Sequence, residues 1–236
     1  MLSETKGSSG DALSPPKVQK IFNLILIENL YKIVYHKDII FNNSQMRPLV
    51  KRVDADFDYQ EETVEIKNEL YSIFVVSGED LEKLGFMNQL LDEFDKLDDQ
   101  NYYLRFGRRK LDREQYRKIL EKCLKLTIAF RNNIKELLGW GEISIIPNKK
   151  INAAEICCMV LPGSQGLGIG TYLVKKMINI CKASDNIKMC RIRIKSENEV
   201  AAIVLVKIIK ELPGSSLLRD PYLLDGYLAY DIATLR

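Results

Sequence analysis

At 236 residues the chain is long enough for one large domain or one domain with an appendage. Its 46% hydrophobic and 28% charged content is that of a globular protein with a sizeable core, and excludes general disorder. With 35 Lys and Arg against 32 Asp and Glu, the net charge of +3 argues against a dedicated nucleic-acid binder, leaving one local basic group at Arg105 and Arg108 to Lys110.

Five cysteines (Cys123, Cys157, Cys158, Cys181, Cys190) make an odd count without C-x-x-C spacing, and fall in apolar runs where a thiol packs as a small hydrophobe. Without a secretory-type start, a reducing, cytoplasmic setting is expected. The single His36 excludes a multi-histidine centre, and no metal is expected. No apolar run reaches 18 residues, so no membrane-spanning helix is expected.

In chain order, residues 1–16 are rich in Ser, Gly and Pro and read as a mobile tail. Pro15-Pro16 then opens a helix over Lys17 to His36, with Val18, Ile21, Phe22, Ile25 and Leu26 on its apolar side. That side is expected to dock within the same chain, the alternatives being a second copy, giving a homodimer, or a partner protein. The acidic stretch up to residue 67 reads as a connector, so residues 17–67 form a helical extension and residues 68–236 the main domain.

From there Glu69 to Val76 reads as a strand, and Gly78 to Leu97 as a helix started by Ser77 and Asp80. Tyr102 to Gly107 reads as an aromatic turn, either sealing helix ends or walling a substrate site. Leu111 to Leu120 reads as a helix, followed by strands at Cys123 to Arg131, Glu136 to Ile146 and Asn152 to Leu161, with short antiparallel turns. After a glycine-rich turn come a helix to Ala183, a strand at Ile187 to Lys195, a helix at Glu197 to Leu212, and two terminal strands parted near Asp225-Gly226. The expected fold is α/β of the α+β kind: a mixed, mostly antiparallel twisted sheet of about six to seven strands with flanking helices.

The turn Leu161-Pro162-Gly163-Ser164-Gln165-Gly166-Leu167-Gly168-Ile169-Gly170-Thr171 leads from a strand into a helix N-terminus, where backbone N–H groups and the helix dipole favour an anion. A P-loop needs Gly-Lys-Ser/Thr, and Gly170-Thr171-Tyr172 has no such lysine. A dinucleotide fingerprint needs G-x-G-x-x-G and a ribose-binding acid after the next strand, where Arg191-Ile192-Arg193 stands instead.

Gln165-Gly166-Leu167-Gly168-Ile169-Gly170 resembles the Q/R-x-x-G-x-G/A signature of the GNAT superfamily of N-acetyltransferases. The strand Ala154 to Val160, the helix start at Asn198-Glu199-Val200-Ala201 and the element order are similar to that family's. Tyr103-Leu104-Arg105-Phe106 is similar to a segment of protein-lysine acetyltransferases. The resemblance implies acetyl-CoA as co-substrate, its pyrophosphate held by the backbone of Gln165, Gly166, Leu167, Gly168, Ile169, Gly170 and Thr171. It implies that the pantetheine arm pairs with the strand edge at Met159 and Val160, with Asn198 as a further contact, and that an N–H near Val160 stabilises the oxyanion.

The acceptor implied is an amine, on a protein lysine or a small molecule, attacking directly. Glu155 is the expected proton acceptor, the other reading being a strand-end carboxylate paired with a neighbouring lysine, and Glu142 is the reserve. Leu205 stands where many members carry a tyrosine that protonates the leaving thiolate; Tyr222, Tyr227 and Tyr230 are the substitutes available. The alternative function is a catalytically impaired GNAT-like module that binds acyl-CoA or other proteins.

Overall fold

The computed structural model describes residues 48–54, 59–106, 111–132, 135–147 and 152–234. All belong to one compact unit, Asn42–Arg236. The expected tail, the helix with its docking face, His36 and the basic residues 108–110 lie outside the described residues.

Among the described residues ten strands form one sheet. Three antiparallel strands come first: β1 (Pro48–Asp54), β2 (Tyr59–Ile66) and β3 (Glu69–Val76). Residues 48–54 and 59–66 of the stretch read as a connector are therefore part of the sheet. Acidic residues hid the alternation: Glu62, Val64 and Ile66 are buried on one face, and Glu62 is a carboxylate held by partners described below. Lys67 and Asn68 join β2 to β3 in a two-residue turn with φ of 52° and 65°, the geometry of a tight hairpin.

After β3 the chain forms α1 (Phe86–Asp95), α2 (Asp99–Phe106) and α3 (Arg113–Glu121). The helix expected from Gly78 begins only at Phe86, because Gly85 takes a left-handed φ of 77° at its start. Ser77 does not cap a backbone N–H; its hydroxyl donates to the Asp80 carboxylate at 2.6 Å. Met87, Leu90, Leu91 and Phe94 then recur on one helical face and are buried.

The expected aromatic turn is helix α2. Asp98 accepts from the Asn101 N–H at 2.7 Å and starts it, and nothing breaks the helix before Gly107. A capping box, with Gln115 N–H donating to Asp112 at 2.7 Å, starts α3.

The centre of the sheet is β4 (Lys125–Arg131), β5 (Glu136–Ile146) and β6 (Ala153–Val160), antiparallel neighbours close to their expected limits. Then follow α4 (Ile169–Ala183), β7 (Met189–Lys195), α5 (Glu199–Glu211), the short β8 (Ser216–Leu217) and β9 (Tyr222–Leu224), and β10 (Tyr227–Ala233). The sheet exceeds six to seven strands because β1 and β2 extend one edge and the first terminal run divides into β8 and β9.

Helices α1 to α3 cover one face, around Phe94, Tyr116, Leu126, Ile128 and Trp140. Helix α4 covers the other, burying Cys181 together with Ile169, Leu173, Met177 and Ile178, the last four each stabilising by about 1.5–3 kcal/mol relative to exposure. None of the described helices is long and apolar enough to cross a membrane.

Candidate functional site

Strands β6 and β7 are parallel, and they pair only from Ala153 with Met189 to Ile156 with Ile192. Beyond that point β6 stays with β5 as far as Val160, paired with Gly139, while β7 stays with β10 as far as Lys195, paired with Tyr227. The sheet therefore splits into a V whose walls are Cys157 to Val160 and Arg193 to Lys195. Burial follows the split: Ala153, Ala154 and Ile156 are buried, whereas Cys157, Cys158 and Val160 are half-buried. Beyond Ile156 the β7-facing edge of β6, at Met159 and Val160, has no strand partner among the described residues, and such an edge is a template for an extended ligand.

The glycine-rich turn stands at the mouth of the V. Leu161 N–H donates to Leu138 O at 2.9 Å, and Pro162–Ser164 make one tight turn. Gly168 is the N-cap of α4 with φ of 96°, a conformation a Cβ would strain. At Gly170 a Cβ would lie 3.1 Å from Val160 Cγ2, so the helix start presses on the end of β6. No side chain caps α4, and its first turn carries no acidic residue, so no carboxylate of the helix start itself competes for the orphan N–H groups. Gln165 and Gly166 are exposed, Leu167, Gly168, Gly170 and Thr171 half-buried, and the Ile169 side chain buried.

Glu155 lies one residue before the point of splitting, half-buried, and its carboxylate pairs with the Arg193 guanidinium on the opposite wall. Sequence reasoning passed over Arg193, although its position two residues beyond Arg191 puts it on the same strand face. Glu142 has a different setting. Only 5% exposed, it accepts from the Tyr116 hydroxyl at 2.5 Å and from Trp140 Nε1 at 3.1 Å beneath α3. Asn198 is half-buried and spends its side-chain oxygen as the N-cap of α5, accepting from Ala201 N–H at 3.2 Å.

The acid side of the reaction is sparse. Leu205 is buried and apolar. Tyr230 is buried too, which pushes its hydroxyl up to about 12. The Tyr222 hydroxyl donates to Asp231 at 3.1 Å. Tyr227 lies against the β7 wall, its ring 5.3 Å from the Arg193 guanidinium and 4.5 Å from Lys195 Nζ.

Lys195 had no signal in the sequence. It is 7% exposed, and its ammonium is held between the rings of Tyr227 and of Tyr103 from α2, 4.7 Å from the latter. Tyr103 was legible as part of an aromatic segment, but its partner across the chain was not.

A cavity of about 490 Å³ opens on the α1 side of the turn, lined by residues including Asp92, Glu93, Phe130, Glu136 and Pro162 to Ser164. None of its lining comes from β7 or from Gly166 to Thr171, so it is distinct from the V. All five cysteines are free thiols, with Cys123, Cys181 and Cys190 buried. Among the described residues no group of three or more His, Cys, Asp or Glu could hold a metal ion.

The family model for the acetyltransferase (GNAT) family matches residues 87–206, half of the chain, from α1 into α5. The chain belongs to the GNAT family. As such it is an acetyl-CoA-dependent N-acyltransferase. The GNAT domain of S. lividans PAT is similar in structure, with 14% identity over 76% of this chain and 98% of that one and a TM-score of 0.55. The ribosomal-protein-S5-alanine acetyltransferase from Vibrio fischeri is similar too, with 14% identity over 73% and 96% and a TM-score of 0.51. At that identity both bear on the fold alone. No curated protein matches the chain in sequence. The GNAT match leaves β1 to β3 and β8 to β10 outside it.

Proposed function

We propose that this GNAT enzyme transfers an acetyl group from acetyl-CoA directly to a primary amine, of which a protein lysine is the favoured class. The observation that carries the reading is the V between β6 and β7 opening onto an uncapped, glycine-rich helix start. The backbone N–H groups from Gln165 to Thr171 hold the pyrophosphate, and the pantetheine arm runs along the free edge of β6 past Met159 and Val160. A β7-facing N–H near Val160 donates to the oxyanion as the thioester carbonyl is attacked. Asn198, its oxygen committed to the helix cap, is left with its amide N–H groups for the cofactor arm.

An amine with a pKa near 10 is mostly protonated at neutral pH and must lose a proton to attack. Glu155 accepts it, from the narrow end of the V where the thioester arrives, while Arg193 fixes the carboxylate's orientation. The leaving thiolate takes a proton from water or from Tyr227, the tyrosine on the β7 wall. The amine of the acceptor is a protein's or a small molecule's. Tyr103, exposed on α2 beside Lys195, supports an acceptor approach over α2.

The test is coenzyme A release with a panel of lysine peptides and small amines, run on the full chain and on Glu155→Gln. Expected are acetyl-CoA binding by both, and a fall in kcat/KM of about 100-fold or more in the variant. An unchanged rate and pH profile would remove Glu155 from the chemistry. Binding without turnover across the whole panel would favour a module whose work is contact rather than catalysis.

A further inference from the structure

We propose that Lys67, on the turn between β2 and β3, is a phosphate ligand of the coenzyme A site, supplied by a hairpin that lies outside the GNAT match. The proposal rests on the reading of the glycine turn given above. Its first support is that the hairpin is fastened to α4. Glu62 on β2 is 5% exposed, accepts from the Tyr172 hydroxyl at 2.5 Å and pairs with Lys176 at 2.8 Å. Tyr172 and Lys176 are four residues apart and so share a face on the first turns of α4. Burial and the Glu62 contact push the Tyr172 hydroxyl well above its usual range, so it remains a donor.

The second support is where the hairpin ends. Lys67 Nζ donates to the Gly166 carbonyl at 2.6 Å, inside the turn itself. One of its three N–H bonds is spent there, and among the described residues Lys67 pairs with no carboxylate. An exposed ammonium resting on a neutral carbonyl, beside uncapped helix N–H groups, gains a stronger charge-assisted bond when a phosphate arrives. The backbone amides and Lys67 then grip the anion from two sides, the second from a strand pair that ordinary matching to the family leaves out.

Isothermal titration of the full chain with coenzyme A, 3′-dephospho-coenzyme A and pantetheine tests this, using Lys67→Ala and Lys67→Arg. Expected for Lys67→Ala is coenzyme A affinity about tenfold weaker, with a shallower salt dependence, and pantetheine affinity unchanged. Lys67→Arg should recover most of the loss. A tenfold loss kept with 3′-dephospho-coenzyme A assigns Lys67 to the diphosphate, and its disappearance assigns it to the 3′-phosphate. Equal losses for coenzyme A and pantetheine would make Lys67 a staple of the turn and overturn the proposal, as would unchanged coenzyme A affinity. Failure of the unaltered chain to bind coenzyme A would instead overturn the site reading, and this assignment with it.

Discussion

Replacing Tyr116 by Phe separates a structural Glu142 from a reacting one. The hydroxyl that is lost donates to Glu142 at 2.5 Å and accepts from Trp140 Nε1 at 2.9 Å. The ring itself stays, stacked on Phe94 with centroids 4.0 Å apart. A hydrogen bond to a charged group contributes about 1.5–3 kcal/mol, and Trp140 still donates to Glu142 in the variant. The expected cost is therefore about 2 kcal/mol, and at about 2–4 °C per kcal/mol for a unit of this size Tm falls by about 4–8 °C. Thermal and urea unfolding give the stability, and coenzyme A release well below both transitions gives the activity. Expected is the full drop in Tm with kcat/KM within about twofold. A shift below about 1 °C would refute the buried network. A tenfold loss of turnover at unchanged Tm would make Glu142 the proton acceptor in place of Glu155.

Two further expectations follow from the turn and from the terminal strands. Gly168→Ala forces a Cβ into a left-handed N-cap and should cost about 1–2 kcal/mol while weakening acetyl-CoA binding; equal unfolding midpoints and equal affinities would refute it. Asp231, nearly buried, accepts from Arg191 and Arg219, each at 2.7 Å. Burial opposes its ionisation, and the two guanidinium groups outweigh that and hold the carboxyl below its usual range. A lowered folded value means stability that is complete above about pH 4, the unfolded value, and is lost as pH falls through the folded one. Asp231→Asn should thus be less stable at pH 7, with the difference shrinking below about pH 4 in urea unfolding; a constant difference would refute the linkage.

Local chemistry was legible where a local rule applied. The strand limits of β5 follow from a mostly apolar run interrupted only by Glu142 and Ser144 after Leu137, and those of α4 from the glycine turn and the spacing of Leu173, Met177 and Cys181. Misreadings arose where a local signal meant something else. Gly85 ended a turn inside what read as one helix, and Asp98 began a helix in what read as an aromatic turn. In β2 the acids Glu61, Glu62 and Glu65 masked a strand, because Glu62 is buried against a lysine and a tyrosine more than a hundred residues away.

The sequence by itself determined the glycine turn from which the proposed donor site is read. Its glycines, the absence of a P-loop lysine and of a ribose-binding acid, and the Gln165 start are local facts about where a backbone can approach a phosphate. Only the tertiary structure decided what surrounds that turn. The splitting of β6 from β7 depends on each strand keeping its other neighbour. The Glu155–Arg193 pair, the Tyr103–Lys195–Tyr227 stack and the Lys67–Gly166 bond each join residues 32 or more positions apart. Contacts of that kind leave no periodicity behind, because each depends on how separate elements pack together rather than on neighbours along the chain.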